Sequence, residues 1–336
     1  MSIEIKQDSS STFIHKLSIE IIHSQYQPKS NLKWKVDGQT IAGGNGKGDK
    51  LNQLNYSHGI YVDHQQQQIY IADFWNNRIV KWKLGENNGE IVAGGNGQGK
   101  RIDQLNQPTD VILDENNKSL IICDSGNRRV VRWSLPNRNG GKEILIENID
   151  CQGLMMNGNG DLFVSDWENY AVKRWRKGEI GRKGKRRIVA GGNGKGNQLN
   201  QSNSPTYIFV DREETIYVSE WGNHRVMKWL KGAKEGIIVA GGNGQGDSLN
   251  QLSHPEGLVV NEVGDIYVAD YENNRIMCWP LGSKEGHVVV GGNGRGEESN
   301  QLNGPHGLSF DVENNLYVVD SLNHRIQRFS IDKNED

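Results

Sequence analysis

From residue 40 onward the chain alternates short apolar runs with clusters of Gly, Asn, Asp and Pro. Residues 237–282 show the pattern most plainly, IIVAGGNGQGDSLNQLSHPEGLVVNEVGDIYVADYENNRIMCWPLG. The segments IIVA, GLVV, DIYVA and RIMCW are rich in β-branched and aromatic residues and bounded by turn formers, which predicts four strands joined by turns. No window holds apolar residues at helical spacing over the roughly ten positions that a helix needs. GLVV and IYVA are nearly continuous apolar runs, so the inner strands are expected to be covered on both faces.

This unit recurs about every 50 residues. Its anchors are the acids Asp73, Asp124, Asp166, Glu220, Asp270 and Asp320, each followed by an Asn three positions later and an aromatic residue nine positions later. Four-stranded sheets stacked face to face around an axis bury such strands on both sides, which is the geometry of a β-propeller. The expected fold is all-β, a six-bladed propeller of four-stranded antiparallel blades. The sixth unit stops after its third strand, residues 325–329, while residues 40–42 form a fourth strand with no unit before it. The N-terminal strand is therefore expected to complete the last blade and close the ring, leaving no unpaired edge at the joint. This divides the chain into an N-terminal extension, partly strand-like or disordered, over residues 1–35, a propeller over 36–332 and a tail over 333–336. The repeat leaves Trp34 without a packing site, since residues 325–329 already fill the third-strand place that it imitates.

Composition suits one repeat domain: 35% of residues are hydrophobic, 42 of 336 are Gly, and the net charge is −2. No apolar stretch approaches the roughly 18 residues of a membrane span. MSIEIKQDSSSTFIHK has neither the basic start nor the apolar core of a secretory signal, so a cytoplasmic setting is the default expectation. Cys123, Cys151 and Cys278 lie in or beside strand segments and read as buried thiols.

The succession GxGxGxxLNQLxxPxGLxVDxxxxIYVADxxNNRIxxW resembles the NHL repeat, and six such units resemble the six-bladed NHL propellers. The resemblance spans residues 40–330. That family includes RNA-binding modules, protein-interaction platforms and a metal-dependent peptidyl-hydroxyglycine amidating lyase, so the resemblance implies fold more firmly than function.

GGNG occurs at residues 43–46, 94–97, 191–194, 241–244 and 291–294. A phosphate cradle needs such a turn to open a helix. Here it leads to LNQL and another strand, so it reads as the blade-to-blade crossing. The sets Asp73 and Arg78, Asp124 and Arg129, Glu220 and Arg225, Asp270 and Arg275, and Asp320 and Arg325, each with its Asn, read as structural bracing of the loop between the second and third strands. Blade 3 departs from the rule: Ala171 stands where Arg is expected, leaving Asp166 as a freer carboxylate.

The same blade carries a basic loop of Lys173, Arg174, Arg176, Lys177, Arg182, Lys183, Lys185, Arg186 and Arg187 with one Glu among them. Such a patch fits phosphate groups or an acidic partner, and Trp167 and Trp175 lie near enough in sequence to stack on unpaired bases. A solvated loop is the plainer alternative.

The residues at the start of each innermost strand should face the axis: His58, Thr109, Gln152, Thr206, Glu256 and His306. Blades 5, 6 and 1 are consecutive, so Glu256, His306 and His58 are candidates for a two-imidazole, one-carboxylate site for zinc, or calcium in its place. The segments GPHGL at 304–308 and SHGI at 57–60 are similar to those that present zinc-binding histidines in the amidating lyase. The similarity covers two histidines rather than three, and a polar channel without metal is the alternative. His224 and His324 stand where Asn77 and Asn274 stand elsewhere and read as loop residues; His254 precedes Pro255 and shapes the turn. No Ser, His and Asp set assembles from the repeat. The expected role is thus a non-catalytic, monomeric binding propeller without a cofactor, engaging a protein, peptide or polyanion through its rim loops. The rivals are an RNA-binding module centred on blade 3 and a metal-dependent enzyme centred on the channel.

Overall fold

The computed structural model describes residues 32–114, 118–135, 141–181 and 184–333. The expectations for residues 1–31 and 334–336, and for Arg182 and Lys183, lie outside the described residues. Six four-stranded antiparallel sheets follow one another along the chain. Their inner strands are Ile60–Asp63, Pro108–Asp114, Cys151–Met156, Pro205–Val210, Pro255–Val260 and Pro305–Phe310, for blades 1 to 6. Each inner strand packs against that of the next blade, and that of blade 6 against blade 1. The described residues hold no α-helix, only four 3-10 turns between second and third strands.

The aromatic residue nine positions after each acid is the wedge between blades. Trp82, Trp133, Trp175, Trp229, Trp279 and Phe329 are all buried. Trp82, for example, lies with Ile60, Ile69 and Val80 of its own blade against Tyr317, Val319 and Ile326 of blade 6. The leucines that close LNQL in two crossings and its variants IDQL and SNQL in two others, Leu54, Leu252, Leu105 and Leu302, are completely enclosed and plug the crossings. Gly43, Gly94, Gly191, Gly241 and Gly291 adopt positive φ where a Cβ would strike the carbonyl before the repeat Arg or Ala171 at under 3 Å, so the crossing demands glycine.

Ring closure is by Gln39–Gly43, which lies antiparallel to Arg325–Phe329 as the outer strand of blade 6, Gln39 opposite Arg328 and Gly43 opposite Arg325. Beyond it the chain continues the pairing. Trp34 bridges to Ile331, stacks on Phe310 with ring centres 5.8 Å apart and meets Tyr267 edge-on at 5.5 Å. Its indole N–H donates to the Asn314 carbonyl at 2.9 Å. The packing place missing from the repeat is thus a seam between blades 5 and 6.

The expectation of buried thiols holds for Cys278 alone. Cys123, in the second strand of blade 2, and Cys151, which opens the inner strand of blade 3, are joined as a disulfide with Cα atoms 5.7 Å apart. Stacked blades bring together two residues 28 apart in sequence, a proximity that a strand-by-strand reading does not reveal.

Candidate functional site at the channel mouth

In blade 5 Pro255 pairs with Asp270, Asp270 with Arg275, and Arg275 with Gly291. The inner-strand starts, the 2–3 loops and the GGNG crossings therefore share one face, while the 1–2 and 3–4 turns share the other. The acid, Asn and Arg sets brace the first face. In blade 1 the Asp73 carboxylate accepts from Asn55 N–H at 2.8 Å, Asn76 Nδ2 at 2.8 Å and Arg78 Nε at 2.7 Å. Arg78 donates onward to the carbonyls of Asp49, Lys50 and Gln53 in the crossing. Arg129, Arg225, Arg275 and Arg325 repeat this pattern.

Blade 3 departs from its expectation. Asp166 is not a freer carboxylate: the Lys173 ammonium, seven positions on, lies against it and is itself buried. The basic loop loses a second member to Arg174, which ion-pairs with Asp161 and Glu214. Arg176, Lys177, Lys185, Arg186 and Arg187 remain exposed, on the 3–4 hairpin at the face opposite the channel mouth.

Of the six inner-strand residues, Thr109 and Thr206 turn their hydroxyls to the next blade, donating to Cys151 O and Pro255 O, both at 3.2 Å. Gln152 reaches Ser125 Oγ at 3.3 Å. His58, Glu256 and His306 do come together. The imidazoles of His58 and His306 stack with centres 4.1 Å apart, Phe74 stacks on the far side of His58 at 4.1 Å, and Glu256 Oε2 lies 3.8 Å from His306 Nδ1. Stacked rings hold their in-plane nitrogen lone pairs side by side instead of aiming them at one point, and no set of three His, Cys, Asp or Glu side chains able to hold a metal occurs among the described residues. The donors do not fit the zinc or calcium for which they were candidates.

Burial raises the Glu256 carboxyl to about 8 and lowers the His306 imidazole to about 3. Both are therefore neutral near pH 7 and form no ion pair. His58 is likewise pushed well below its ordinary value, first by burial and then by His306.

Two residues of this centre escape the reading of the sequence. The position after each inner-strand residue is glycine in four blades, Gly59, Gly153, Gly257 and Gly307, where a Cβ would come within 3 Å of the neighbouring inner strand or its side chain. Blades 2 and 4 carry Asp110 and Tyr207 there. Asp110 accepts from Leu154 N–H of blade 3 at 2.8 Å, and burial raises its carboxyl to about 7. The Tyr207 hydroxyl reaches Thr109 O of blade 2 at 3.4 Å, skipping blade 3, so the phenol bars the channel. The signal in the sequence is the break in the glycine column.

The loop residue after each repeat acid forms a second ring above the first: Phe74, Ser125, Trp167, Trp221, Tyr271 and Ser321. Four of the six are aromatic. Tyr271 and Tyr56 hydrogen-bond through their hydroxyls at 3.0 Å, from blade 5 to the blade 1 crossing, with both rings edge-on to His306. Trp221 packs on His254 at 3.8 Å, and Trp75 stands at the rim, 51% exposed.

Residues 54–82, 252–279 and 302–329 match the NHL repeat family. Three matches to the NHL repeat thus lie within a six-bladed β-propeller. No curated protein sequence matches it. Solved structures that resemble it include two auxiliary nutrient binding proteins. That of Bacteroides thetaiotaomicron has a TM-score of 0.68 and 16% identity over 88% of this chain and 76% of its own. That of Bacteroides ovatus has a TM-score of 0.66 and 16% identity over 90% and 78%. Streptogramin B lyase is also similar, with a TM-score of 0.55 and 10% identity over 84% of this chain and 97% of its own. At these identities the likeness is one of fold. No helix among the described residues is long and apolar enough to cross a membrane.

Proposed function

We propose that this propeller is a non-catalytic binding module that takes its ligand at the channel mouth. The carrying observation is the aromatic ring of Phe74, Trp167, Trp221 and Tyr271, with Trp75 at its rim, set above polar side chains that lack protein partners. His58 Nε2 and both nitrogens of His306 have no hydrogen-bond partner among the described residues. Aromatic walls with a few convergent polar groups are the usual make-up of a ligand site. Two structural neighbours named as nutrient binding proteins accord with a binding role. The donor geometry at His58, Glu256 and His306 gives no support to a metal-dependent enzyme.

Trp75, Trp167 and Trp221 lie at the mouth, whereas Trp34, Trp82, Trp133, Trp175, Trp229 and Trp279 are buried. A ligand at the mouth should therefore shield only the first three from acrylamide quenching. Shielding that persists in a variant with all three changed to Phe would place the ligand elsewhere.

A second reading rests on the exposed cations of blade 3. Arg176, Lys177, Lys185, Arg186 and Arg187 make no ion pair among the described residues. RNA or another polyanion at this hairpin would bind with steep salt dependence, lost in Arg186→Glu with Arg187→Glu. Binding indifferent to salt would remove this reading.

A further inference from the structure

Glu256 is unlike the other buried acids of this chain. The repeat acids each meet an Arg or Lys. Asp110 takes two backbone N–H donors, and Asp161 and Glu214 share Arg174. Glu256 is 8% exposed and accepts no hydrogen bond among the described residues. Its one ionisable neighbour at ion-pair range is His306, itself 4% exposed with both ring nitrogens unpartnered.

Aromatic rings enclose the pair. Tyr271, Tyr56 and His58 lie 5.0, 5.7 and 4.1 Å from the His306 ring, and Phe74 backs His58. The remaining groups close to Glu256 are the phenols of Tyr56 and Tyr207. No cationic side chain stands among them.

Resting on the reading of the mouth as the binding face, we propose that this cup seats a protonated organic amine, with its ammonium on Glu256 and His306 and its substituent against Tyr56, Phe74 and Trp75. An ammonium supplies what the cup lacks, a counter-charge for a buried carboxylate and N–H donors for unpartnered acceptors. Ring faces attract such a cation further. The arrangement that fails a metal ion suits an amine, because separate N–H groups reach separate acceptors whereas a metal needs lone pairs that converge. Without a cation, burial lifts the Glu256 carboxyl to about 8, the response of an acid with no counter-charge.

The probes are 2-phenylethylamine and 2-phenylethanol, which differ in ammonium against hydroxyl, titrated calorimetrically into the full chain at neutral pH. The amine is expected to bind more tightly by about tenfold or more, as a charge-assisted hydrogen bond supplies. Glu256→Gln, which keeps the shape of the side chain and is checked for folding by a cooperative melting transition, should erase that preference. Trp75→Ala should weaken both probes. Equal affinity for the two, amine binding unmoved by Glu256→Gln, or no amine binding overturns the assignment. If probes do bind but Trp75→Ala and Trp221→Ala leave them untouched, the mouth itself is not the binding face.

Discussion

Histidine and asparagine are interchangeable at the position before the repeat arginine, for a reason visible in atoms. His224 Nδ1 and His324 Nδ1 accept the backbone N–H of His254 and Tyr56 in the next crossing, each at 3.2 Å. Asn77 Oδ1 and Asn274 Oδ1 accept those of Gln107 and Gly304 at 2.9 Å. All four residues are left-handed, with φ of 52° to 54°, a conformation that Asn and His tolerate better than most. His224→Asn should therefore leave urea stability unchanged, whereas His224→Ala should cost about 1 kcal/mol. Equal losses in both would mean that the bond to His254 contributes nothing. The Asp166 and Lys173 pair gives a sharper case. Lys173→Ala strands a buried carboxylate and should cost about 3–5 kcal/mol. Adding Ala171→Arg should recover much of it by restoring the arrangement of the other blades. A harmless Lys173→Ala would show Asp166 to be satisfied without a cation.

Strands and blades were legible because each element announces itself locally, by a β-branched run between turn formers. The acids, arginines and wedge aromatics were legible because they recur. What the repeat hid was the exceptions. Lys173 replaces an arginine from two positions further along the strand, on the same face by the period of two, and Asp110 and Tyr207 interrupt a glycine column whose purpose appears only when six inner strands meet. Trp34 fell outside the repeat, and its place is made by two blades at once. The meeting of His58, Glu256 and His306 was foreseeable from blade order. The stacking of the two rings, which decides what they can hold, was not.

The seam at Trp34 can be tested as an element. Trp34→Ala removes a buried indole packed on Phe310 and Tyr267 and should cost about 3–5 kcal/mol. Since Phe310 and Tyr267 belong to blades 6 and 5, hydrogen exchange should quicken in both blades and leave blades 2 and 3 protected. Exchange that rises uniformly would mean that the ring opens only as a whole.

For the whole molecule the axis is a source of acid stability. Asp110 holds its proton in the folded state up to about 7, whereas in the unfolded chain it loses it near its ordinary value of 3.8. Folded protein thus binds the extra proton between those values, so stability falls as pH rises through that window and levels off above it. Glu256 adds a second such slope, reaching to about 8. Asp110→Asn should flatten the lower part of the curve, each pH unit of displaced titration being worth about 1.4 kcal/mol. Urea melts across this range decide it: equal slopes in the variant and the parent would clear Asp110 of the effect.

Closure by Gln39–Gly43 also settles how the molecule answers to tension. The chain enters that strand at Gln39 and leaves its partner after Phe329, and Gln39 lies opposite Arg328, so a pull on the two flanking segments loads the ladder from one end. Hydrogen bonds strained in this way part in succession, like a zip, instead of resisting together as they do when strands slide lengthwise. The joint of the ring is accordingly its mechanical fuse: under force the propeller should uncoil from blade 6, at low load, before the other five blades yield.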